Sequence, residues 1–163
     1  MPIRRVRVPQ APPELVDGLR QLAAELAIPR RFPDEVLAEA EAVATSGPID
    51  RAERTDLTDL PFVTIDPPGA SDLDQALFIE RRRPGFRVWY AITDLAAWVR
   101  ADGAIDTEAR RRGQTYYAPT WRVPLHPAAL SEAAASLLDD GVARPALVWR
   151  TDLDGDGVVE RSE

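Results

Sequence analysis

The stretch Thr64-Ile65-Asp66-Pro67-Pro68-Gly69-Ala70-Ser71-Asp72-Leu73-Asp74-Gln75-Ala76 constrains this chain more than any other. An apolar run, Phe62-Val63-Thr64-Ile65, reads as a short buried strand that delivers Asp66 to a turn built on Pro67, Pro68 and Gly69. If the segment after that turn is extended, alternate side chains share a face. Asp72 and Asp74 then point the same way, Leu73 points into the core, and the turn folds both carboxylates back beside Asp66. Carboxylates gathered in this way repel one another, so either their pKa values rise or a cation joins them. Oxygen ligands, in a chain with no Cys and no His nearby, favour Mg²⁺ or Mn²⁺ over zinc. The alternative is a solvated acidic loop in which Asp side chains hydrogen-bond their own backbone.

The same residues resemble the first signature of the ribonuclease II family, also called the RNB family. Its members are processive, Mg²⁺-dependent 3′-to-5′ exoribonucleases. The signature is a strand ending in Thr-Ile-Asp, a short loop, then Asp-x-Asp-Asp-Ala. Asp66, Asp72 and Asp74 match acidic positions of that pattern, and Gln75 stands where it has a further Asp. Ile92-Thr93-Asp94-Leu95 is similar to the family's Ile-Ala-Asp-Val, and Tyr116-Tyr117-Ala118-Pro119 to its Tyr-Leu-Pro, with Ala118 replacing Leu. Trp121 to Leu138 follows its Pro-Met-Leu-Pro, Leu-Ser and Ser-Leu pattern.

The resemblance implies hydrolysis of single-stranded RNA to nucleoside monophosphates. Asp66, Asp72 and Asp74 would hold Mg²⁺ (or Mn²⁺), with Gln75 offering a neutral carbonyl oxygen. Tyr117 would pack against RNA, and Arg112, which ends a segment like one in the family, would be a second RNA contact. A base on an aromatic gains about 1–3 kcal/mol whatever its identity. A Tyr in a half-buried strand explains Tyr117 equally well.

Composition narrows the field. The net charge of −7 argues against a simple basic glove for nucleic acid. All 20 basic residues are Arg. With no Cys there is no disulfide-linked partner. No apolar run reaches the ~18 residues of a membrane span, and no apolar core follows Arg4, Arg5 and Arg7 as it would in a signal peptide. The default location is the cytoplasm.

Along the chain, residues 1 to 11 are basic and expected to be poorly ordered. Leu15, Leu19, Leu22, Ala23 and Leu26 recur at helical spacing after Pro12-Pro13, and Pro29 ends that helix. A second helix starts near Pro33, with Asp34 and Glu35 in its first turn and Val36, Leu37, Ala40 and Val43 as its apolar stripe. Both stripes read as packing faces. Residues 47 to 60, with Asp50, Arg51, Glu53, Arg54, Asp56 and Asp59, read as a linker.

Ala76–Ile79 and Arg87–Ile92 read as a hairpin around Arg81-Arg82-Arg83-Pro84-Gly85, whose Arg triplet is a solvated edge or a phosphate contact. Asp94 is a helix N-cap or an ordering partner of the acidic site. Ile105–Arg112 is a short helix capped by Gly113. His126, the 1 His of the chain, offers itself as a general base, but the family needs none. Asp152-Leu153-Asp154-Gly155-Asp156-Gly157 through Glu163 fits a calcium-loop pattern. A strand precedes it rather than a helix, so an Asp-Gly hairpin turn is expected.

The expected fold is α+β: a helical N-terminal region and linker over residues 1–60, then the first, mostly antiparallel hairpin portion of an RNB domain over 61–163. The matching part is shorter than a full RNB domain, so the chain reads as a truncated N-terminal portion. It is expected to be inactive alone, with apolar sheet faces uncovered. Two other functions stay open: a catalytically silent RNA-binding or interaction module, and a calcium-binding module using Asp152–Glu163.

Overall fold

The computed structural model describes residues 11–49 and 53–163. Most of the basic N-terminus, and Asp50 and Arg51 of the linker, lie outside the described residues. Helix α1 runs over Pro13–Glu25, with Pro13 in its first turn, where the absent N–H costs nothing. Its apolar stripe does not behave as a packing face. Ala23 is buried, whereas Leu15, Leu22 and Leu26 are exposed. Helix α2, Asp34–Ser46, begins after Pro33 and ends where Gly47 takes a positive φ of 83°. It buries Val36 and Ala40 and leaves Leu37 exposed.

Strands β1 (Gln75–Arg81) and β2 (Phe86–Thr93) form the expected hairpin. A 3-10 turn over Leu95–Ala97 leads to helix α3, Ala104–Arg112, which Gly113 closes at φ 76°. Strands β3 (Tyr116–Tyr117) and β4 (Arg122–Val123) make a two-stranded ladder, followed by a π turn over Leu130–Ala134. Strands β5 (Ala146–Leu153) and β6 (Val159–Ser162) complete a four-stranded antiparallel sheet of order β1-β2-β5-β6. The protein is α+β, as its patterning implies.

One apolar core joins α2, the 3-10 turn, α3 and the π turn through Val36, Ala40, Ala97, Trp98, Ile105, Leu130 and Ala135. Helix α2 therefore shares its core with elements far along the chain. The N-terminus of α3 has no side-chain cap of its own, since Gly103 occupies that place. Glu39 of α2 supplies it: its carboxylate accepts the N–H groups of Ala104 at 2.6 Å and Ile105 at 3.2 Å. This satisfies donors that the helix cannot pair internally and sets a negative charge at its positive end.

Three local expectations are corrected. Phe62–Ile65 is not a buried strand. Val63 makes a single bridge to Leu77, and Val63 and Ile65 are 55% and 82% exposed. Pro61 and Pro67 flank this run and lack the N–H that a longer ladder needs. Asp94 does not cap the turn that follows it. Its buried carboxylate instead pairs with Arg54 at 2.8 Å. The Arg81–Arg83 tip is only partly a solvated edge, because Arg82 pairs with Asp152 at 3.2 Å and Arg81 lies over the Phe86 ring.

Residues 153–159 form a hairpin turn, as expected. The Asp154 carboxylate accepts N–H groups from Asp156 and Val158, so it braces the turn. Ile79, Leu147 and Trp149 on the sheet are exposed, in keeping with an apolar surface left uncovered.

Candidate functional site

The acidic loop assembles much as its spacing implies. The Pro67 carbonyl accepts the Ala70 N–H at 3.1 Å, with Gly69 at φ 82°, a conformation that L side chains resist. The chain beyond the turn is tied down at Leu73. Its N–H donates to Ser136 Oγ at 2.8 Å, and its carbonyl accepts the Leu137 N–H at 2.8 Å. Ser136 is fully buried, so this anchor fixes the backbone between the two acidic residues.

Asp66, Asp72, Asp74 and Gln75 then line one pocket of about 300 Å³. Val63, Ile65, Ala76, Leu77 and Tyr90 form the rest of its wall. Tyr90 lies opposite Leu77 in the β1–β2 register. Its hydroxyl reaches diagonally to donate a hydrogen bond to Gln75 Oε1.

The electrostatics agree with a shared acidic site. The Asp74 carboxyl is pushed above the usual carboxylate range, first by partial withdrawal from solvent, then by the charges of Asp72 and Asp66. Asp74 as a residue is exposed, so this effect belongs to its pocket-facing carboxyl. Asp72 has a second partner. Arg122 of β4 donates to its Oδ2 at 3.2 Å and also pairs with Glu132 of the π turn. Glu132 in turn accepts from Ser71 Oγ at 3.2 Å.

The donor set fits a hard divalent cation: carboxylate oxygens and one amide oxygen around a pocket large enough for an ion and water. The present geometry does not converge fully on one point. Among the described residues, no three acidic or imidazole groups stand close enough together to hold a metal ion. Asp72 engaged by Arg122 is the visible departure from a closed site.

The two expected RNA contacts part company. Tyr117 is 69% exposed on β3, with Arg122 as its cross-strand partner, so its ring is available for stacking. Arg112 is 2% exposed and does not fit an RNA contact. Its guanidinium donates to Glu108 at 2.8 Å, to the Pro124 carbonyl at 3.1 Å and to the Arg31 carbonyl at 2.7 Å, and it lies 3.7 Å over the Phe32 ring. It ties α3 to the segments on either side. His126 lies apart from the acidic pocket, beside a second cavity with Leu95, Val99 and Arg110. Burial, then the Arg112 charge, lower its pKa.

Tyr90, Arg122 and Glu132 escape the sequence reading. The hairpin register would have found Tyr90, because closing β1–β2 at Arg81 and Phe86 places it opposite Leu77. No local signal marks the contacts of Arg122 with Asp72 and Glu132, which span 50 and 10 residues.

This fold is shared with solved structures of ribonucleases. The chain belongs to the RNB domain family, which matches residues 54–163. Ribonuclease R of Acidithiobacillus ferrooxidans is 40% identical over 131 residues, covering 80% of this chain and 30% of that protein. The structure of Mycoplasma genitalium RNase R in complex with double-stranded RNA aligns with a TM-score of 0.79 at 29% identity, over 93% of this chain and 27% of that one. The same RNase R in complex with ribose-methylated single-stranded RNA aligns with a TM-score of 0.79 at 28% identity, over 93% of this chain and 24% of that one. The chain thus spans less than a third of the length of these relatives.

Proposed function

We propose that this chain carries the carboxylate part of a 3′-to-5′ exoribonuclease site, for Mg²⁺-dependent hydrolysis of single-stranded RNA to nucleoside monophosphates. The observation that carries this reading is one pocket lined by Asp66, Asp72, Asp74 and Gln75, with the Asp74 carboxyl pushed up first by its partial burial and then by the charges of Asp72 and Asp66. The relatives bound to double-stranded and to ribose-methylated single-stranded RNA support RNA as the substrate class. In this reading residues 1–60 are the helical lead and linker, and residues 61–163 are the N-terminal portion of the RNB domain. A cytoplasmic location belongs to the same proposal. Among the described residues no helix is long and apolar enough to cross a membrane.

Asp66, Asp72 and Asp74 would hold Mg²⁺ or Mn²⁺, with the Gln75 amide oxygen beside them. When bound, such an ion supplies Lewis acidity at a phosphoryl oxygen and lowers the pKa of water. The chain's own contribution is placement. Ser136 anchors the loop at Leu73, Tyr90 fixes the direction of the Gln75 amide, and Tyr117 offers an aromatic face to a base. Gln75 in place of an acid removes one negative charge, which weakens cation binding relative to an all-Asp site. Spanning less than a third of its relatives' length, the chain by itself binds RNA weakly and does not shorten it.

The test is a graft. Residues 54–163 replace the matching segment of the Acidithiobacillus ferrooxidans ribonuclease R, and the product is incubated with 5′-labelled single-stranded RNA and Mg²⁺. Stepwise shortening from the 3′ end, abolished by Asp74→Asn, is the expected result. Gln75 in the place of an Asp favours a second reading, a catalytically silent RNA binder. A folded graft that retains RNA at full length selects that reading and contradicts the first.

A further inference from the structure

Arg122, which does not itself line the acidic pocket, pairs with one of its carboxylates. Its guanidinium lies 3.2 Å from Asp72 Oδ2, on a carboxylate of the pocket, and its other contact is Glu132, outside the pocket lining. The three side chains are all partly exposed, at 37%, 29% and 27%, so the bridge can open without unpacking the core. Glu132 gives the guanidinium a second anchor when Asp72 is taken. Ser71, next to Asp72 in the chain, donates to that same Glu132. The loop carrying Asp72 and the π turn carrying Glu132 are therefore joined twice, by a hydroxyl–carboxylate hydrogen bond and by a shared Arg.

We propose that Arg122 is a built-in counter-ion for Asp72: it occupies this ligand while the pocket lacks a divalent cation and yields it, retreating to Glu132, when one binds. This rests on the cation-site reading above and adds a competitor to it. Arg122 is a positioning residue, acting on the ion through Asp72. The exchange also explains why the carboxylates share a pocket without converging. One of them already has a partner, and turning it back costs the opening of an ion pair. Such a pair is worth a modest amount at partial exposure, so the competition tunes affinity rather than forbidding binding.

The test is Mn²⁺ titration calorimetry on the wild-type chain, Arg122→Ala and Arg122→Lys, with circular dichroism as the check on folding. Arg122→Ala binds Mn²⁺ roughly two- to five-fold tighter, the range set by a partly exposed ion pair. Arg122→Lys keeps the charge but cannot fork between two carboxylates. It gains part of that increase, which a general charge effect would not produce. The wild-type protein gives an independent readout: saturating Mg²⁺ shifts the Arg122 Nε–H resonance in a ¹⁵N spectrum. Mn²⁺ binding that is unchanged or weaker in Arg122→Ala overturns the proposal while leaving the cation site standing. So does a gain in Arg122→Ala with none in Arg122→Lys. No Mn²⁺ binding in wild type and variants alike overturns the cation site and this inference with it.

Discussion

Replacing Arg112 with Met asks whether this residue holds the fold together or contacts RNA. The guanidinium is buried, with side-chain exposure of 1%, against Glu108 at 6%. Substitution removes that ion pair, leaves the Pro124 and Arg31 carbonyls without their donor, and takes the cation from the Phe32 face. Breaking a buried pair from one side costs about 3–5 kcal/mol. Glu108 keeps a second partner, because Arg111 holds its carboxylate with two bonds of 2.7 Å. The lower end, about 3 kcal/mol, is therefore expected. Against a domain stability of about 5–15 kcal/mol this is a large fraction. With a urea slope of about 1–3 kcal/mol per molar, the unfolding midpoint falls by roughly 1–3 M. Trp fluorescence during urea unfolding measures it. Arg112→Lys recovers little, since one ammonium cannot serve an acid and two carbonyls in the same geometry. A midpoint within experimental error of wild type, together with weaker RNA binding, would refute the structural role.

Three further outcomes follow from single contacts. Glu39→Ala removes the cap of α3 and costs about 1–2 kcal/mol; amide exchange at Ala104 and Ile105 should quicken, and unaltered protection counts against the capping. Gly85→Ala places a Cβ 1.9 Å from the Leu153 carbonyl at a φ of 85°, so a loss of about 2 kcal/mol or more is expected in thermal unfolding, and a neutral variant would contradict the close approach. His126, held below its ordinary 6.5 by burial and by Arg112, favours its neutral form in the folded state. Its contribution is fully present above 6.5 and is lost as pH falls from there through the lowered value, so urea midpoints should drop on acidification and His126→Gln should flatten that slope; an unchanged slope would show that the imidazole does not contribute.

What could be read from the chain divides along physical lines. Elements marked by local chemistry are legible: Pro13 and Pro33 opening helices, Gly47 and Gly113 closing them, Gly85 in a hairpin turn. The acidic pocket is legible for the same reason, because a Pro-Pro-Gly turn and an Asp-x-Asp spacing act over a dozen residues. What was misread depends on distant partners. The Leu stripe of α1 has helical period, yet period alone does not say that another element covers it. Asp94 has the chemistry of a cap, but Arg54, 40 residues earlier, takes its carboxylate. Arg112 looks like a free cation at the end of a basic helix. Glu108 lies one turn away on the same helix, but only the fold reveals Phe32 and the Arg31 and Pro124 carbonyls closing around it.

The most direct measurement is anomalous diffraction from crystals of this chain soaked in Mn²⁺. A single strong peak bonded at about 2.0–2.2 Å to carboxylate oxygens of Asp66, Asp72 and Asp74 is the predicted result. A map with no peak in that pocket, or with Mn²⁺ only at the Asp154 turn or on scattered surface acids, would contradict it.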